Sequence, residues 1–147
     1  MKSKFFFATL FICSISGYAS QHNPENEDIE SNVLGVWENK IPGINCHEIR
    51  DFRKDGIAYA SAANQFLKLK YSISPTPTAS GFYKLNESVL SDNRGHDCFD
   101  SPMSDIQDYS FYLKFSASQN AFAVCLEENI DTCVSLYVKK LHKKQPE

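Results

Sequence analysis

The chain has 147 residues and a formal net charge of −3, a length that fits one compact domain. A mild acidic excess gives no broad attraction to phosphate backbones or anionic lipid. The only basic cluster is Lys139, Lys140, Lys143 and Lys144 at the tail, which argues against a nucleic-acid partner.

Residues 1–19 run from Lys2 and Lys4 through an apolar stretch, Phe5 to Ile15, to the small-residue exit Ser16-Gly17-Tyr18-Ala19-Ser20. This order predicts a secretory signal peptide cut after Ala19 and a periplasmic or secreted mature chain. The apolar core is about half the 20 or so residues that a membrane-spanning helix needs, so no stable membrane span is expected. Lipidation of Cys13 is the weaker alternative, because bulky Ile12 stands where such signals want a small side chain. Loss of the signal removes two lysines and no acids, which moves the net charge to −5.

Residues 20–32 are polar and acidic, with Glu25, Glu27, Asp28 and Glu30, and read as a flexible lead-in. A single domain over 33–142 and a disordered tail over 143–147 follow. From Val33 onward apolar residues alternate with polar ones and turn residues punctuate the runs, a period that argues for strands. About eight are predicted, near 34–39, 44–53, 57–62, 66–74, 81–90, 109–117, 121–127 and 132–140. Leu67, Leu69, Tyr71 and Ile73 share one face, as do Phe111, Leu113 and Phe115, and as do Val134, Leu136 and Val138. Each set is read as the buried face of its strand. Short connections such as Asp55-Gly56 imply antiparallel neighbours.

Eight sequential antiparallel strands with one apolar face each remove their edges by closing into an all-β up-and-down barrel, with a two-sheet sandwich as the alternative. Two longer connections stand out, the Ser74–Thr78 stretch and residues 92–108. In the second, Ser101-Pro102 is expected to cap a short helical turn.

Gly35-Val36-Trp37 on the first strand, followed by the Asp55-Gly56 hairpin, resembles the opening of small exported lipocalin-like (calycin-type) and avidin-like barrels. The resemblance implies that Trp37 closes one end of the barrel. It does not extend to biotin, which avidins bracket with several tryptophans, since Trp37 stands alone.

Removal of Cys13 with the signal leaves Cys46, Cys98, Cys125 and Cys133, an even set that predicts two disulfides in an oxidising compartment. A hairpin turning at Asn129 would set Cys125 opposite Cys133, and elimination would then join Cys46 to Cys98. The competing reading is zinc, from Cys46-His47 and His96-x-Cys98. Adjacent residues on a strand point to opposite faces and exported thiols oxidise, so no metal site is assigned. The aspartates at 92, 97, 100, 105 and 108 match no calcium-loop spacing and read as a solvated acidic loop.

No Gly-x-Ser-x-Gly, His-Glu-x-x-His or phosphate-cradling loop is present, and paired cysteines leave no thiol nucleophile, so neither catalysis nor a cofactor is expected. Glu48 beside His47 reads as a surface charge. The expected function is that of a monomeric, non-enzymatic binding protein for a small apolar ligand or cell-envelope component, with Trp37, Tyr59, Tyr71 and Phe111 as candidate lining. The alternative is an inhibitor or immunity protein that binds another exported protein, such as a hydrolase, through the 92–108 loop, with Asp97 and Asp100 as contacts.

Overall fold

The computed structural model describes residues 29–102 and 108–140. The expected signal segment, Cys13, most of the lead-in, Asp105 and the tail lysines 143 and 144 lie outside them. Eight strands follow in chain order: β1 Gly35–Lys40, β2 His47–Phe52, β3 Ile57–Ala62, β4 Gln65–Ile73, β5 Tyr83–Asp92, β6 Asp108–Phe115, β7 Ala121–Cys125 and β8 Cys133–Lys139. Each pairs antiparallel with its sequence neighbours, and β8 returns to β1, so the sheet closes as an up-and-down barrel of the kind that lipocalins form. The sandwich alternative is excluded by this closure.

Up-and-down order sends all the even-numbered connections to one end. The end called lower here holds the turns at 53–56, 74–82 and 116–120, together with a short helix, α1, Ile29–Val33. Ile29 and Val33 lie one helical turn apart and are both buried, so they plug the barrel mouth from below. Residues 29–32 therefore belong to the folded domain and not to the flexible lead-in, because this apolar pair has a core to enter. The Trp37 indole N–H donates to the Val33 carbonyl at 2.7 Å and ties plug to barrel. Above the plug Trp37, Phe52, Leu85, Leu113 and Phe122 are all but fully buried, and Trp37 packs on the rings of Phe115 and Phe122. Each such side chain contributes about 1.5–3 kcal/mol by leaving water.

The upper end carries the connections 41–46, 63–64 and 126–132, the described part of the β5–β6 connection, 93–102, and both disulfides. Cys46–Cys98 ties the β1–β2 connection to the long β5–β6 loop, and Cys125–Cys133 closes the β7–β8 connection over the 3₁₀ turn Ile130–Thr132. The thiols weighed as zinc ligands are thus bonded to each other. Asn93 holds the long loop against the β3–β4 hairpin: its amide donates to the Asn64 carbonyl, and its side-chain oxygen accepts from the Phe66 and Gly95 N–H groups. A Cβ on Gly95 would fall 2.1 Å from the Asn64 oxygen, so only glycine fits there. Ser101-Pro102 caps no helix among the described residues; Pro102 instead forms a bridge with His96.

One face assignment is reversed. On β8 the inward residue is Tyr137, 3% exposed, while Val134, Leu136 and Val138 stand outside at 50–63% exposure. The β7–β8 register shifts between Val124 and Cys125, and a one-residue offset sends every following side chain to the other face. Inside, the Tyr137 ring stacks on Phe122 and its hydroxyl finds partners that a valine could not use.

Candidate functional site

The lower half of the barrel is filled by apolar side chains, but the upper half holds a chain of polar groups. On β2 the inward positions are Glu48, Arg50 and Phe52, facing Ala62, Ala60 and Ala58 of β3. Those three alanines leave room for long side chains. Arg50 Nη1 donates to the buried Glu87 carboxylate of β5, and Arg50 Nε donates to the Tyr137 hydroxyl at 3.3 Å. The Tyr137 hydroxyl in turn donates to Glu48 Oε2 at 2.9 Å, and Asn39 Nδ2 donates to the same oxygen at 2.9 Å. Side chains from β1, β2, β5 and β8 are thereby linked across the interior.

Burial disfavours the Arg50 charge, but the Coulombic pull of Glu87, with Tyr137, more than offsets it and raises the guanidinium above its ordinary range. Burial pushes the Tyr137 phenol up to about 12, with Arg50 opposing and Glu48 reinforcing the shift. A raised folded value means that the neutral phenol stabilises the fold. That contribution is complete below the unfolded value of about 10 and is lost as pH climbs from about 10 to 12. Absorbance titration at alkaline pH should therefore show one phenol ionising only near pH 12, about where burial puts Tyr137, and Tyr137→Phe should abolish that late step. A Tyr137→Phe profile identical to that of the parent protein would contradict the assignment.

Above this floor the barrel has a lateral opening. β1 pairs with β2 over six residues but with β8 only through Trp37–Lys139 and Glu38–Val138. Beyond Val138 the two strands part, and Pro42, which has no N–H, stands where the ladder would continue opposite Val134. A cleft of about 980 Å³ fills the gap. Asn39, Glu48, Arg50 and Tyr137 form its floor, Phe111 and Val124 line its inner wall, Val134 and Leu136 its outer wall, and Ile41, Pro42 and Phe99 its rim.

Of the four candidate lining residues only Phe111 reaches this cleft. Trp37 is sealed in the core near the lower end. Tyr71 packs edge-on against Phe52 and donates its hydroxyl to the Arg53 carbonyl of a lower turn. Tyr59 stands on the outer wall, stacked on Phe66 beneath the Arg53 guanidinium, because Ala58, Ala60 and Ala62 take the inward positions of β3. In the long loop Asp97 Oδ1 accepts from the Phe99 and Ser101 N–H groups and so holds the loop's own turn, whereas Asp100 is 93% exposed and meets His96 Nδ1 at 2.8 Å. The sequence reading missed Asn39, Arg50, Glu87 and Tyr137. The signal available was a charged residue two positions before a buried phenylalanine on β2, and one between Leu85 and Val89 on β5. His47, paired with Glu38 outside the barrel, lies on the opposite face from Glu48, as strand geometry requires.

Among the described residues no helix is long and apolar enough to cross a membrane. No known protein family, curated protein or solved structure matches the chain.

Proposed function

We propose that the protein is exported and acts as a non-enzymatic binding protein whose small amphipathic ligand occupies the seam cleft between β1 and β8. The observation that carries this reading is the cleft itself: about 980 Å³ opens over a polar floor with apolar walls. That volume and that mixture are what small-ligand sites have, typically several hundred to about 1,000 Å³ with a few placed polar groups. Export is supported by the signal-like order of residues 1–19 and by two disulfides. The disulfides stand at the same end as the cleft and hold its rim in place, which lowers the entropy cost of binding. A binding role fits the floor chemistry, because Arg50, Glu87 and Tyr137 are committed to one another.

Native mass spectrometry of the protein recovered gently from its own compartment tests this reading. A copurifying small mass is expected, lost in Phe111→Ala and in the exposed-wall variant Leu136→Asp, which leaves the core untouched. A bare protein, with a mass four hydrogens below its reduced form, would contradict it. That outcome would favour the protein-partner alternative, for which Phe99 speaks: it is 65% exposed beside the Cys98 disulfide on the 92–108 loop.

A further inference from the structure

The parting of β1 from β8 leaves backbone as well as side chains facing the cleft. Lys140 N donates to the Val36 carbonyl, whereas Lys139 N donates to Asn120, so the even-numbered residues of β8 turn their N–H and C=O groups toward β1. Val138 uses its groups on Glu38. Leu136 comes next, and β1 gives it no partner. Natural sheets protect such an edge with charges, proline or a bulge, and of these the open stretch of β8 carries only the bulge at Val134, at its upper end. Along its outer face β8 shows Val134, Leu136 and Val138, each at least half exposed.

The floor below adds a charge. Glu87 neutralises Arg50, but Glu48 has no cation of its own among the described residues. Both its hydrogen bonds, from Asn39 and Tyr137, fall on Oε2, which leaves Oε1 without a protein donor among the described residues. The other carboxylate at the cleft, Glu38, is already paired with His47 and Lys140.

Resting on the reading of the cleft as the binding site, we propose that its ligand is a short free peptide in extended form, which adds as a strand to the open edge of β8 and places a basic side chain at Glu48. Backbone pairing to Leu136 supplies up to two hydrogen bonds. Alternate side chains of an added strand point to opposite faces, so those directed inward meet Glu48 while those directed outward lie with Val134 and Leu136. The open edge from Cys133 to Tyr137 is about 13 Å long, room for four or five residues. At Glu38–Val138 the ladder is closed again, so a chain cannot run through the seam and must end there. A second copy of the barrel is a poorer occupant, because its strands are backed by their own sheet and the rim of Ile41, Pro42 and Phe99 stands in the way.

Calorimetric titration of the intact disulfide-bonded protein tests this with acetyl-Val-Lys-Val-Lys-Val-amide, its Val-Glu-Val-Glu-Val counterpart, and two N-methylated lysine peptides, one methylated at the valines and one at the lysines. The lysine peptide should bind at least about tenfold more tightly than the glutamate peptide, and Glu48→Gln, which preserves both Oε2 contacts as an acceptor, should erase most of that preference. One of the two N-methylated peptides should lose at least about tenfold, since only one set of N–H groups can face β8. Binding that ignores both N-methylations would overturn strand addition, and binding that ignores charge and Glu48 would overturn the basic side chain. If no peptide binds while a copurified ligand is lost in Phe111→Ala, the cleft reading stands and this inference falls. If neither is seen, both fall.

Discussion

Arg50→Met is expected to lower the stability of the barrel by about 3–5 kcal/mol, because it strands a carboxylate in the interior. Glu87 is 2% exposed at its side chain and, among the described residues, its ionic partner is Arg50, whose own side chain is 18% exposed. Removal of the guanidinium also takes a donor from the Tyr137 hydroxyl. The pair itself is not a large source of stability, since the cost of taking both charges out of water offsets much of their attraction. The double variant Arg50→Met with Glu87→Leu should accordingly recover most of the loss. Urea unfolding measures both, and a double variant as damaged as the single one would show that the network stabilises by more than mutual neutralisation. The same comparison separates roles: the interior pair positions Tyr137 and hence Glu48, so the double variant should fold yet bind ligand more weakly than the parent.

The second large effect is expected from Cys46→Ser with Cys98→Ser. This bridge spans 52 residues, and the loop-closure entropy it removes from the unfolded chain is worth about 4 kcal/mol, or roughly 10–20 °C in Tm. The Cys125–Cys133 bridge spans 8 residues and should contribute less, about 2.5 kcal/mol by the same reasoning. Thermal melts of the two double variants test this order, and a larger loss on opening the short bridge would contradict it. Loss of the long bridge also frees the β1–β2 connection from the long loop. Ile41, Pro42 and Phe99 form the cleft rim, so affinity should fall even at temperatures where the variant is fully folded.

Strand number, order and pairing were legible because period-two alternation survives on most strands. On β4 the set Leu67, Leu69 and Ile73 is buried as its pattern requires. The disulfide pairing was legible as well, since a hairpin turning at Asn129 leaves few geometries open. The pattern misled on β8, where both faces carry large side chains and the more polar one is inside. Hydrophobicity alone selects Val134, Leu136 and Val138 for the core, yet the bulge beside Cys125 and the hydroxyl partners of Tyr137 set the opposite phase. On β2 the same ambiguity hid the site. Ile49 suggests that the odd positions face inward, whereas buried Phe52 and the ion pair of Arg50 put the even ones there. A polar network inside a barrel has no local signature, because its members come from four strands and are recognisable only once the register is known. The open seam was equally invisible, as it depends on where pairing stops and not on which residues pair.

Ligand entry depends on that seam being open, and amide hydrogen exchange in the ligand-free protein tests this most directly. Tyr137 faces β7 opposite Phe122, and Val138 is paired to Glu38, so both amides should be protected. The Leu136 amide, between them and the long disulfide's end of the barrel, should exchange orders of magnitude faster, because it faces the cleft. Exchange at Leu136 as slow as at Tyr137 and Val138 would show that β1 and β8 are zipped along their length, and would leave the proposed binding site without an entrance.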